Sequence, residues 1–274
     1  MARISVIMGI YNCASTLKEA LDSLFAQTYQ DFKIILCDDG STDNTYDVAK
    51  AYAEKYDNVL LIRNDSNIKL AGTLNRCLKY VDTQYVARMD GDDRSLPDRF
   101  EKEIKFLDEH PEYAFVSCPM RYFDENGIWM IGHQKEKPKV KDFYKNNLFC
   151  HAPMMMRTSV LNEVGGYTDE SWTVRCEDYY LWYKVYKKGY LGYNIQEPLY
   201  EMRDDRDAFK RRTVKDRWNL YKLSATVKKS LGLRFPYISG IHNLLKILLP
   251  SSLMKFLRRI KENLFFKTSK RKSG

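Results

Sequence analysis

Apolar positions along the first ninety residues alternate between two periods. Residues 4–10, 32–36, 59–62 and 85–89 are short apolar runs rich in branched side chains, which predict buried strands. Between them Leu17, Ala20, Leu21, Leu24 and Phe25 recur at helical spacing, and further helices are expected over about 44–56 and 71–81. Thr16 with Glu19 reads as a capping box for the first helix, and Ser41 or Asp43 as a cap for the second. Strands separated by such helices form β-α-β units around a mostly parallel sheet. After Pro97 the pattern loosens into a helix over 98–109, a strand over 115–120 and an irregular stretch to 147. The segment 153–157, a Gly165-Gly166-Tyr167 turn and a helix near 177–188 follow, and 205–231 reads as a long basic helix.

The charge changes this picture. The chain has 274 residues and a net charge of +9, but residues 208–274 carry 18 Lys/Arg against 2 Asp/Glu, and residues 1–207 carry 27 against 34. An acidic domain over 1–207 is thus expected to bear a basic extension over 208–274. Six cysteines (13, 37, 77, 118, 150, 176) form no C-x-x-C pair, and four histidines (110, 133, 151, 242) form no zinc spacing. Structural zinc and thiol redox chemistry are excluded, and the cysteines read as small core residues of a reducing compartment. Apolar runs fall far below the ~20 residues of a spanning helix, and the N-terminus lacks a signal-peptide pattern, so a cytoplasmic location is expected.

A parallel sheet binds ligands beyond the carboxyl ends of its strands, and here those ends are polar and acidic. They are Tyr11-Asn12, Asp38-Asp39, residues 64–67 and residues 90–93. G-x-G-x-x-G after the first strand and the P-loop pattern are both missing, which disfavours dinucleotide dehydrogenases and P-loop NTPases. Asp90-Gly91-Asp92-Asp93 crowds three carboxylates after a strand; it is either an ordinary turn or the seat of a hard cation such as Mg²⁺ or Mn²⁺. Asp38-Asp39-Gly-Ser-Thr-Asp43 is either a helix cap or an acceptor for a nucleotide's base or ribose. Glu177-Asp178 is either a favourable helix N-terminus or a general base facing the same crevice.

Together these segments, in order, resemble the inverting family-2 glycosyltransferases of the GT-A fold. The resemblance runs from Ile4 to about Arg203 through Tyr11-Asn12, Gln27-Thr28-Tyr29, Asp38-Asp39-Gly-Ser-Thr-Asp43, Asn67 to Asn75, Asp90-Gly-Asp92-Asp93 with Pro97-Asp98-Arg99, and Glu177-Asp178-Tyr-x-Leu-Trp182. It implies an α/β fold and a nucleotide-diphosphate sugar as donor, with uridine the expected base. Tyr11 would lie against the base, Asp39 would accept from its ring N–H, and Asn67 would belong to the same site. Asp90 would contact the ribose, Asp92 would hold the divalent metal, and Asp178 would be the general base. The family's Gly-rich turn is replaced by Ile68-Lys69-Leu70, where Lys69 either reaches a phosphate or is solvated. His151 and Arg203 fall near the family's diphosphate or acceptor region, and for His151 a satisfied buried histidine is the competing reading.

Beyond Asp207, Lys and Arg interleave with Leu244, Leu248, Phe256, Leu257 and Phe265 at near-helical spacing. This reads as basic amphipathic helices on an anionic membrane surface, placing the protein peripherally on the inner face of the membrane. A helical cap on the catalytic domain is the alternative, and nucleic acid is disfavoured because no recognition motif accompanies the charge. The expected activity is sugar transfer to a saccharide or lipid-linked acceptor in bacterial surface polysaccharide synthesis. A nucleotidyltransferase with the same metal–diphosphate logic and a non-catalytic adaptor of the same fold are the rivals.

Overall fold

A computed structural model describes residues 2–145, 148–204, 213–238 and 241. The first strand explains the architecture. In β1 (Ile4–Ile10), Ile4, Val6, Met8 and Ile10 pack against one apolar cluster and Ile7 against another. Both faces of the sheet are therefore covered, as a continuously apolar parallel strand requires. The first cluster takes in α1 (Ala14–Phe25) and α4 (Arg99–Glu109), the second α3 (Lys69–Leu78), α6 (Glu177–Lys187) and α7 (Val214–Ser230).

The main sheet has seven strands. β1 is flanked by β2 (Phe32–Asp38) and β4 (Tyr85–Arg88), both parallel, and β3 (Val59–Arg63) follows β2 on that edge. Beyond β4 lie β9 (Met155–Arg157), antiparallel to both neighbours, then β6 (Tyr113–Ser117) and β10 (Leu191–Asn194). α2 (Thr45–Lys55) connects β2 to β3, and the short α5 (Thr158–Glu163) follows β9. A second sheet of four strands runs in the order β5 (Arg94–Ser95), β11 (Tyr200–Arg203), β7 (Met120–Asp124), β8 (Gly127–Ile131).

Three expectations change. The single strand over 115–120 is two strands, because Pro119 donates no amide hydrogen and biases Cys118 away from continuing the ladder. The irregular stretch holds the β7–β8 hairpin, turned where Asn126 N donates to Asp124 Oδ1 at 2.9 Å and Gly127 adopts φ +105°. The capping box of α1 does not form: Thr16 Oγ1 donates to the Gly91 and Cys13 carbonyls, and Glu19 pairs with Arg94 and Arg203. Asp43, by contrast, accepts from Thr45 N at 3.0 Å and from Ala14 N at 3.2 Å, tying the starts of two helices together.

α7 is capped by Thr213, whose hydroxyl accepts from Asp216 N at 3.2 Å, and it buries Leu220, Leu223 and Val227. Residues 205–212 of the expected basic helix, and the amphipathic segments after 241, lie outside the described residues. Among the described residues no helix is long and apolar enough to cross a membrane.

Candidate active site

The register of the parallel strands aligns Ile10, Asp38 and Arg63, so the chain leaves β1, β2 and β3 at one level. Asp38 is fully buried and spent on structure: it pairs with Arg63 at 2.9 Å and accepts from Ser41 N. Asp39, one residue on, is buried in a nest of donors. Its carboxylate accepts from Asn64 Nδ2 at 2.8 Å, Ile68 N at 2.9 Å and Lys69 N at 3.0 Å. Arg76 donates to Asn64 Oδ1 at 2.7 Å and so fixes which way that amide points. Tyr11, Asp39, Asn67, Lys69 and Arg175 line one cavity of about 300 Å³.

Lys69 opens α3 at φ +69°, a left-handed conformation. That conformation is one glycine adopts most freely, and here it turns the backbone so that two successive amides, Ile68 and Lys69, meet Asp39. Lys69 is exposed and lines two adjoining cavities, so its ammonium stands at the crevice rather than in the body of the protein.

The acidic turn follows β4. Arg88 is buried beneath it and forms an ion pair with Asp90, whose own amide donates to the Tyr200 hydroxyl at 3.2 Å. Asp93 is buried and accepts from Arg203 N at 2.8 Å; burial, with the charges of Asp90 and Asp92, pushes its carboxyl well above the ordinary range. The turn packs so closely on the β1–α1 loop that a Cβ at Gly91 would lie 2.7 Å from Cys13 Sγ. Tyr11, Asp90, Asp92 and Arg203 line a second cavity of about 350 Å³, which shares Gly9 and Tyr11 with the first.

Asp90, Asp92 and Asp93 each offer an oxygen, all within 4.8 Å of one another. This donor set, oxygen only and beside an open cavity, fits a hard divalent cation. The crowding of these carboxylates disfavours the charged form of Asp93, and a cation among them would relieve it.

Glu177 and Asp178 open α6. Asp178 Oδ1 accepts from Tyr179 N at 2.7 Å. Burial, reinforced by the Asp178 charge, pushes Glu177 up to about 7, and the Arg88 cation opposes that rise. Glu177 lines a third cavity, of about 260 Å³, which shares Lys69, Leu70 and Arg175 with the first. Tyr11, Asp39 and Asn67 thus meet in one chamber, and Tyr11, Asp90 and Asp92 in the next. Asp178 lines none of the three; its neighbour Glu177 carries α6 to the crevice. His151 bonds to the Tyr167 hydroxyl at 2.8 Å and packs edge-on to Trp182. Burial and then the Arg88 cation push its pKa well below the ordinary value, which is the satisfied histidine of the competing reading.

Sequence reasoning passed over Arg88 and Arg175. Arg88 interrupts an otherwise apolar strand two residues before Asp90, a signal that was present. Arg175 sits at φ +62° and lines both cavities flanking Lys69, which only the folded loop reveals.

A mostly parallel sheet with an acidic turn after its central strand and a small second sheet beside it is the GT-A architecture of glycosyltransferases. The chain belongs to Glycosyl transferase family 2, whose family model matches residues 5–165. It is 45% identical over 212 residues to the putative glycosyltransferase EpsE of Bacillus subtilis, covering 77% of this chain and 76% of that protein. It is 29% identical over 197 residues to the Escherichia coli UDP-Glc:α-D-GlcNAc-diphosphoundecaprenol β-1,3-glucosyltransferase WfaP, covering 71% and 74%. Among solved structures, Staphylococcus aureus TarS with UDP-GlcNAc superposes with a TM-score of 0.68 at 20% identity, covering 90% of this chain and 72% of that one. The mannosyltransferase PcManGT of Pyrobaculum calidifontis, with GDP-Man and Mn²⁺, gives 0.65 at 17% identity over 96% and 79%.

Proposed function

We propose that the protein transfers a hexosyl group from a UDP-sugar to a hydroxyl of a saccharide or lipid-linked acceptor, with inversion, in bacterial surface polysaccharide synthesis. The observation that carries this reading is the pair of adjoining chambers that share Tyr11, one ending in Asp39 and the other in the Asp90–Asp92 turn. An aromatic ring and a fixed carboxylate suit a base and its ring N–H, and a carboxylate turn that can take a hard cation suits the ribose and diphosphate beyond it. WfaP is named for a UDP-glucose donor and a diphosphoundecaprenol-linked acceptor, which supports this choice of donor and acceptor class.

Tyr11 stacks on the base and Asp39, held rigid by Asn64 and two amides, accepts from its ring N–H. Asp90 meets the ribose. Asp92 would hold a divalent cation, which would supply positive charge to offset that of the departing diphosphate. Asp178 takes the proton of the acceptor hydroxyl while that oxygen forms its bond to the anomeric carbon. The bond from that carbon to the diphosphate oxygen breaks on the opposite face, and its electron pair leaves with the nucleoside diphosphate. One displacement inverts the configuration. The basic segment after residue 208 serves as a contact to an anionic membrane surface, where a lipid-linked acceptor resides.

The test is product identity in a donor screen with Mn²⁺ over UDP-, GDP- and dTDP-sugars. Release of UDP supports the reading. Pyrophosphate in place of a nucleoside diphosphate would make the protein a nucleotidyltransferase.

A further inference from the structure

A separate pocket of about 300 Å³ is lined by Trp172, Tyr180, Asn219, Lys222, Leu223 and Thr226. Trp172 is 41% exposed, and its ring forms one wall of this pocket. It is held there by a tied loop: the buried Thr173 hydroxyl donates to the Thr168 and Glu170 carbonyls and accepts from Glu170 N. Tyr180 meets the indole edge to face, with centroids 5.0 Å apart at 88°. Asn219, Lys222 and Thr226 recur at three- and four-residue spacing, so α7 presents one polar row toward the two rings. Lys222 also lies 5.2 Å over the Trp218 ring, which orients its ammonium.

The geometry points to this pocket as a subsite for a pyranose ring of the acceptor saccharide. An aromatic wall accepts the C–H face of a pyranose, and amide, hydroxyl and ammonium groups arrayed along a helix suit its hydroxyls. Its position fits an acceptor running toward the reacting centre. Tyr180 lies three residues from Glu177 on α6, hence on the same side of that helix, and residues 173–175 after Trp172 line the third cavity with Glu177. A preceding sugar occupies the Trp172 pocket while the acceptor leads from it along the third cavity toward the start of α6. This inference rests on the glycosyltransferase reading above and adds where the acceptor is gripped.

Saturation-transfer NMR on the full chain tests it, with methyl glucoside, galactoside, mannoside, N-acetylglucosaminide and glucuronide as probes, and farnesyl phosphate as a lipid probe. The expected result is transfer from the wild type to the ring protons of at least one pyranoside. That transfer is lost both in Trp172→Ala and in Thr226→Trp, which fills the pocket without removing the indole. Unchanged thermal unfolding of the Thr226→Trp variant guards against a folding artefact. Transfer to no pyranoside, transfer that survives both variants, or transfer to farnesyl phosphate alone would overturn the proposal. Hydrolysis of UDP-sugars by the wild type reports on the donor reading separately.

Discussion

Acids at strand ends are conspicuous in sequence, so Asp39, Asp90 and Asp92 stood out, and the fold sets all three beside cavities. That Asp38 is committed to Arg63 and Asp93 to the Arg203 amide was not legible, since adjacent acids look alike until the chain turns. For Asp178→Asn, general-base catalysis implies a loss of about 10²- to 10⁴-fold in sugar transfer with nucleotide binding retained. Equal transfer by wild type and variant, measured by product formation, would remove Asp178 from that role. Lys69 offers a test of backbone strain. Lys69→Gly relieves the φ +69° conformation and raises stability by about 1 kcal/mol in urea unfolding, whereas Lys69→Ala does not. A Gly variant less stable than the Ala variant would contradict that account.

Elements set where these residues stand. β1 was legible as a continuous apolar run, whereas the second sheet was hidden because β5 and β11 are two and four residues long and pair across a wide sequence gap. α4 supports the acidic turn from below. Arg99 Nη2 donates to the Arg88 carbonyl at 3.0 Å and its Nε bonds Glu103 at 3.1 Å, with both side chains fully buried. Glu103→Ala strands the Arg99 charge, so a loss of about 3–5 kcal/mol in unfolding free energy is expected. Burial, opposed by Arg99, raises Glu103 from its ordinary 4.5 to about 7. The folded state therefore holds a proton that the unfolded chain has released. This contribution is fully present below about pH 4.5 and is lost as pH rises through about 7. Urea unfolding should show stability falling across that window, with a shallower slope in Glu103→Gln. Glu177, raised to about 7, and Asp93, raised well above its ordinary range, add slope of the same sign, whereas His151, held below its ordinary value, opposes it. A slope unchanged in Glu103→Gln would contradict the Glu103 assignment.

At the scale of the whole molecule, charge and packing divide the chain differently. Composition changes sign near residue 208, yet the apolar face of α7 joins the cluster that contains Trp182, so the core continues past the change in charge. Charge is visible in a sequence because it is additive, but which helix face is buried depends on a partner far along the chain. The excess of basic residues after 208 predicts that the full chain co-sediments with vesicles containing phosphatidylglycerol and is released by raised salt. Equal binding to neutral vesicles would argue against an electrostatic contact. The central claim, that the crevice shared by Tyr11, Asp39 and the Asp90–Asp92 turn turns over a nucleotide sugar, is tested most directly by Mn²⁺-dependent hydrolysis of UDP-sugars, wild type beside Asp92→Asn. The account predicts UDP release by the wild type and a loss of about 10²-fold or more in the variant. UDP release undiminished by Asp92→Asn would contradict it.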